Sequence, residues 1–260
     1  MLKDIGSKWR PMSSLVPTIP LCQPLGAAQI QRSAVGKAWA FWATLGWGLV
    51  ATVVAFAGGV TAIQYGPFPG TYVSVEIANL LAAVMLPAVL CVAVMMRRCS
   101  LRDYFALKGF SIRDFGLGVV FIVLIFVAIF VAFALLPLLS LDIKTETVRS
   151  DYQIAQLSDA LSLLWLYTIL VAPVSEELVF RGFLHRGWSG SRLGIAGTIV
   201  LTSALWAILH QQYNWIGMLR IFSMGLTFGW LRQRSGSTTL TIALHVLRNL
   251  VAMVANALIG

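Results

Sequence analysis

Six consecutive residues, Glu176-Glu177-Leu178-Val179-Phe180-Arg181, set two acids and a base beside an uncharged apolar run, Leu161 to Val174. A charged side chain at the centre of a bilayer-spanning helix costs about 2.5–3.5 kcal/mol on insertion scales, so such groups are kept chiefly where they perform a task. Helix geometry divides the three. Glu177 and Arg181 lie four residues apart, share a face and can pair, whereas Glu176 points elsewhere and is left free to act. Partners for it come later in the chain. His210 closes the apolar run that begins at Ala204, and His245 and Asn249 stand four residues apart on one helix face. Glu176, His210 and His245 follow each other at intervals of 34 and 35 residues, one to a helix.

Taken singly, each of these polar residues reads as glue between helices. Taken together, they can do chemistry. A carboxylate and imidazoles converging in a dry cavity can polarise water for attack on a carbonyl, while a second histidine with an asparagine donates hydrogen bonds to the developing oxyanion. The same Glu176, His210 and His245 could instead hold a divalent metal such as zinc, whose bound water becomes the nucleophile. A further reading is a proton-coupled transporter with Glu176 and the histidines as its relay. Paired structural repeats would accompany that reading, and the sequence contains no internal repeat. His185, beside Arg186, reads as an interfacial residue outside the set.

Such residues need a scaffold, and composition names it. The chain has 260 residues, 58% hydrophobic and 11% charged, with a mean hydropathy of +0.83. A soluble domain is about 45–50% apolar and about 25% charged, so an integral membrane protein is expected: an all-α, polytopic helix bundle. The net charge of +9 does not point to nucleic acid, because Lys and Arg sit in short loops between apolar runs, the pattern that orients membrane helices.

A span needs about 20 mainly apolar residues. Seven segments answer, approximately 38–63, 75–96, 115–139, 159–184, 194–212, 216–231 and 238–259, the sixth interrupted by Arg220. Residues 1–37, with four prolines and five Lys/Arg, read as a mobile basic tail lying on an anionic membrane surface. The tail and the loops after the second, fourth and sixth spans are basic, which puts the N-terminus in the cytoplasm. A multi-pass protein of a bacterial plasma membrane is the expectation. Nearly all ionisable groups within spans fall in the last four, so the organisation is a tail (1–37), N-terminal transmembrane helices (38–154) and a four-helix catalytic core (155–260). These boundaries leave a tension. Glu176 lies near one end of its span and His210 near the opposite end of its own, so convergence requires a bend at Pro173 or a longer fifth span.

The ordered set Glu176-Glu177-x-x-x-Arg181, Trp206-x-x-x-His210 and His245-x-x-x-Asn249 resembles the CAAX-protease and bacteriocin-processing (CPBP) intramembrane proteases, which include the type II CAAX prenyl endopeptidases. Three motifs in order on successive spans make the likeness specific over roughly residues 155–260. Trp206 stands where the family more often has Phe. The resemblance implies that Glu176 and His210 activate the water, that His245 and Asn249 stabilise the oxyanion, and that Glu177 and Arg181 support the first helix. It implies an endopeptidase acting on a peptide or protein substrate at or in the bilayer, without nucleic acid. A non-catalytic immunity or scaffold protein of the same fold is the alternative. No cofactor is expected on the leading reading, and zinc on the metal-dependent one.

Overall fold

The computed structural model describes residues 38–135 and 148–259; the basic tail at 1–37 lies outside them. Apolar composition drives the chain into helices, because a backbone in hydrocarbon must satisfy its polar groups within its own segment. The elements are α1 (Ala38–Tyr65), α2 (Tyr72–Met96), the short α3 (Leu101–Tyr104), α4 (Ile112–Leu135), α5 (Val148–Leu157), α6 (Leu161–Ser189), α7 (Gly194–Ile208), α8 (Trp215–Ser235) and α9 (Thr238–Ile259). No strand occurs among the described residues.

Local chemistry fixes the helix ends. The side chain of Thr71 accepts from the Ser74 amide at the start of α2, and that of Asn214 accepts from the Gly217 amide at the start of α8. α8 stops at Gly236, whose φ of 68° is the left-handed conformation that glycine adopts without penalty. The chain then turns directly into α9, with the Ser237 hydroxyl held by the Lys108 carbonyl at 2.6 Å.

Each of the seven expected segments falls on a helix, residues 136–139 of the third lying outside the described ones, but the helices differ in length and apolarity. Five are long and apolar enough to span: Phe41–Tyr65, Tyr72–Met96, Ile112–Ala132, Leu161–Ser189 and Thr238–Leu258. α7 is apolar but has 15 residues, about 22 Å of helix against a hydrocarbon core of about 30 Å. α8 is long enough, with 21 residues, but carries Arg220, Arg232 and Arg234. The chain is thus a multi-pass membrane protein with, among the described residues, five helices long and apolar enough to span, and α7 and α8 complete the bundle. α5 lies between the third and fourth expected segments; Tyr152 and Ala155 are buried from it in a small cluster with Ala160, Leu164 and Met253.

α6 is the central element. It packs against α1, α2, α7, α8 and α9. α1 and α2 form one hairpin and α7 and α8 another, both closed by small residues, as bundles in lipid require. Gly225 and Gly229 lie one turn apart on α8. A Cβ on Gly225 would stand 2.7 Å from the Ser203 Cβ and 3.0 Å from its Cα, and one on Gly229 would stand 2.9 Å from Ile199. The outer belt is apolar: Phe56 and Phe130 are 72% and 74% exposed, a surface suited to acyl chains rather than water.

Candidate active site

α6 is not a uniform helix. α-Helical turns (Leu161–Leu166, Ala172–Glu177 and His185–Ser189) alternate with two wider π-helical stretches, Tyr167–Val171 and Leu178–Leu184. π-turns shift the backbone ladder and gather at functional sites. Here a carbonyl in each stretch accepts from a neighbouring helix. Asn249 Nδ2 of α9 donates to Thr168 O at 2.7 Å, and Arg232 Nε of α8 donates to Arg181 O at 3.1 Å. Glu176 and Glu177 lie between these two anchors.

Glu177 is fully buried, and Arg181 is 1% exposed. Arg181 Nη1 donates to Glu177 Oε1 at 2.9 Å and Nη2 donates to the Gly225 carbonyl at 3.3 Å. The guanidinium lies over the Trp206 ring at 4.4 Å. Glu177 does more than pair with Arg181. The same Oε1 accepts from His245 Nδ1 at 3.1 Å. A carboxylate oxygen can only accept, so the His245 ring carries a proton on Nδ1 and turns Nε2 away from Glu177.

Trp206 joins the remaining residues. Its indole Nε1–H donates to Glu176 Oε2 at 2.7 Å. Its backbone carbonyl accepts from His210 Nδ1 at 2.7 Å, which by the same logic leaves His210 Nε2 as the ring's free acceptor when neutral. Its ring meets those of His210 and His245 edge-on, at 5.6 and 5.3 Å. The tension over span ends resolves because α7 is short: His210 lies two residues beyond its last turn, and Trp206 of that turn reaches Glu176. Asn249, 7% exposed, accepts from Arg248 Nη1 at 2.6 Å through Oδ1 while giving one Nδ2 hydrogen to Thr168.

Glu176, His210 and His245 therefore surround one indole ring, and Asn249 lies one turn beyond His245. Glu176 and His210 are linked through Trp206, side chain and carbonyl respectively. Among the described residues no three His, Cys, Asp or Glu side chains form a group that could hold a metal ion. His245 Nδ1 is turned to Glu177, and one Glu176 oxygen is taken by Trp206.

Two placements differ from expectation. His185, read as interfacial, is buried within the protein at 4% exposed. Trp206, standing where the family more often has Phe, donates a hydrogen bond that phenylalanine could not. The signal was its indole N–H, four residues before a histidine in an apolar segment, since a buried indole N–H seeks an acceptor.

Residues 158–251 match the family model described as Type II CAAX prenyl endopeptidase Rce1-like. That segment is similar to the Rce1-like family. No curated protein and no solved structure matches the chain. The Rce1-like segment opens just before α6 and closes two residues after Asn249, so it contains every residue of the site described above. α1, α2 and α4 lie outside it.

Proposed function

We propose that this chain is an intramembrane endopeptidase that hydrolyses a peptide bond by water activated between Glu176 and His210. The observation that carries the reading is the convergence of Glu176, His210 and His245 on Trp206, within a segment of an endopeptidase family. Glu176 takes the proton as water attacks the peptide carbonyl, and His210 Nε2 orients that water. The tetrahedral oxyanion accepts from Asn249 Nδ2–H, which keeps a second hydrogen beyond the one given to Thr168, and from His245 Nε2 when that ring is protonated. Glu177, bonded to both Arg181 and His245, holds the imidazole in place. Glu176 then returns the proton to the leaving amine.

The reaction is proposed to need no metal, a reading supported by the lack, among the described residues, of three grouped His, Cys, Asp or Glu side chains. The substrate is a peptide or protein segment reaching the membrane; the family's description suggests a prenylated tail, and a prenylated peptide compared with its unmodified twin tests this. For the chain's setting we propose a bacterial plasma membrane with the N-terminus cytoplasmic, supported by the basic loops.

Glu176→Gln and His210→Ala in purified, detergent-solubilised protein should each abolish cleavage while the thermal midpoint stays near wild type. Full activity in Glu176→Gln would remove the catalytic assignment and favour a non-catalytic protein of this fold. Turnover unchanged after exhaustive chelation is expected; loss restored by added zinc would overturn the metal-independent route.

A further inference from the structure

His210 is held differently from the rest of the site. Glu176, His245 and Asn249 project from α6 and α9, whereas His210 stands in the connection between α7 and α8, two residues past Ile208. Among the described residues its ring makes one hydrogen bond, from Nδ1 to the Trp206 carbonyl at 2.7 Å. A single bond at one ring nitrogen leaves the imidazole able to pivot about it. The Trp206 ring limits that movement at one edge only, meeting His210 at 86°.

The face of the imidazole is covered by Tyr213. The two rings lie 18° from parallel with centroids 6.2 Å apart, an offset stack of the kind that aromatic pairs favour. The backbone brings them together, since the Tyr213 amide donates to the His210 carbonyl at 3.1 Å. Gly217, in the first turn of α8, leaves room for the tyrosine. A Cβ there would stand 2.7 Å from the Tyr213 Cβ and 3.2 Å from its Cγ, too close for the ring to stay where it is. The Arg220 guanidinium lies 5.7 Å from the centre of the Tyr213 ring, a cation–π contact that holds it from α8.

We propose that Tyr213 is a positioning residue: its ring, seated by Gly217, fixes the plane of the His210 imidazole and so the direction in which Nε2 points. The inference rests on the endopeptidase reading, in which Nε2 orients the attacking water, and adds to it the device that aims that nitrogen. A catalytic group must be held within about 10–20° of its productive orientation, and a residue outside regular helix needs a neighbour to hold it there. The contact is made by the ring face, so phenylalanine can replace tyrosine and an aliphatic side chain cannot.

The test uses purified full-length protein in detergent. For cleavage of the prenylated peptide, Tyr213→Leu and Gly217→Ala should each lower kcat by about 10- to 100-fold while KM holds, as a displacement of about 1 Å would do. Tyr213→Phe should stay near wild type. Full kcat in either Tyr213→Leu or Gly217→Ala would overturn the proposal, and so would a loss in Tyr213→Phe equal to that in Tyr213→Leu, which would assign the hydroxyl to the chemistry. A second readout needs no activity. The chain has three histidines, so nitrogen-15 labelling of histidine gives three ring systems, with His210 identified by its loss in His210→Ala. Its neutral ring should carry the proton on Nδ1 in wild type and in Tyr213→Phe, and exchange between tautomers in Tyr213→Leu. An unchanged tautomer in Tyr213→Leu would overturn the positioning role. A protein that cleaves nothing yet shows the tautomer change keeps the role of Tyr213 and removes the endopeptidase.

Discussion

Trp206 carries two functions on one side chain: its face covers Arg181 and its edge bonds Glu176. Trp206→Phe separates them, since it keeps an aromatic face and deletes the N–H. A hydrogen bond to a charged group contributes about 1.5–3 kcal/mol, so kcat should fall roughly tenfold or more while KM and the thermal midpoint change little; steady-state kinetics beside a melting curve read the difference. Arg181→Ala acts on stability instead. It strands Glu177 inside the bundle, with His245 as its remaining partner, and breaking a buried pair costs about 3–5 kcal/mol. A sharply lower yield of monodisperse protein is the expected outcome, and a variant that folds normally yet is inactive would assign Arg181 to the chemistry. The spacing of Glu177 and Arg181 made their pairing legible in sequence, because i and i+4 neighbours are a local matter. The bond from Glu177 to His245 crosses 68 residues, and nothing local announces it.

Among the elements, hydropathy located the seven apolar segments well, because the bilayer imposes length and apolarity on every span at once. It could not distinguish α7 and α8 from full spans, since their limits are set by one short run and three arginines. α5 was hidden for the opposite reason: its residues are largely polar, with Tyr152 and Ala155 docking it. The π stretches of α6 left no periodic mark either. The α7–α8 contact gives the sharpest prediction at this scale. Gly225→Ala would press a methyl group against Ser203 backbone and side chain, and overpacking of this kind costs about 1–3 kcal/mol. The thermal midpoint in detergent should drop, and Ser203→Gly in the same chain should restore most of it. A Gly225→Ala protein as stable as wild type would show that the two helices separate freely there.

In the whole molecule, the Rce1-like segment does not bury its own surface unaided. One continuous core joins Phe180, Phe183, Leu184, Trp188 and Leu244 from it with Ala51, Leu90, Val94, Phe105 and Ile122 from the helices before it. The Trp188 ring stacks on Phe41 at 5.1 Å, and its Nε1 donates to the Phe41 carbonyl at 3.3 Å. Residues 155–260 expressed alone should therefore aggregate in detergents that keep the full chain monodisperse, as judged by size-exclusion profile; a folded, active fragment would show the N-terminal helices to be dispensable.

The two π stretches of α6 bear on how this protein can vary. A turn closed between residues i and i+5 holds one residue more than an α-turn, so losing one residue from 167–171 would let that turn close as α-helix and swing all that follows by about 100°. Glu176 would leave Trp206, and the carbonyl that now holds Asn249 would face a different neighbour. Side chains along this helix can be exchanged gradually, but its length is a fixed count. A lineage carrying this site can drift in composition between Thr168 and Arg181 without gaining or losing a single residue there.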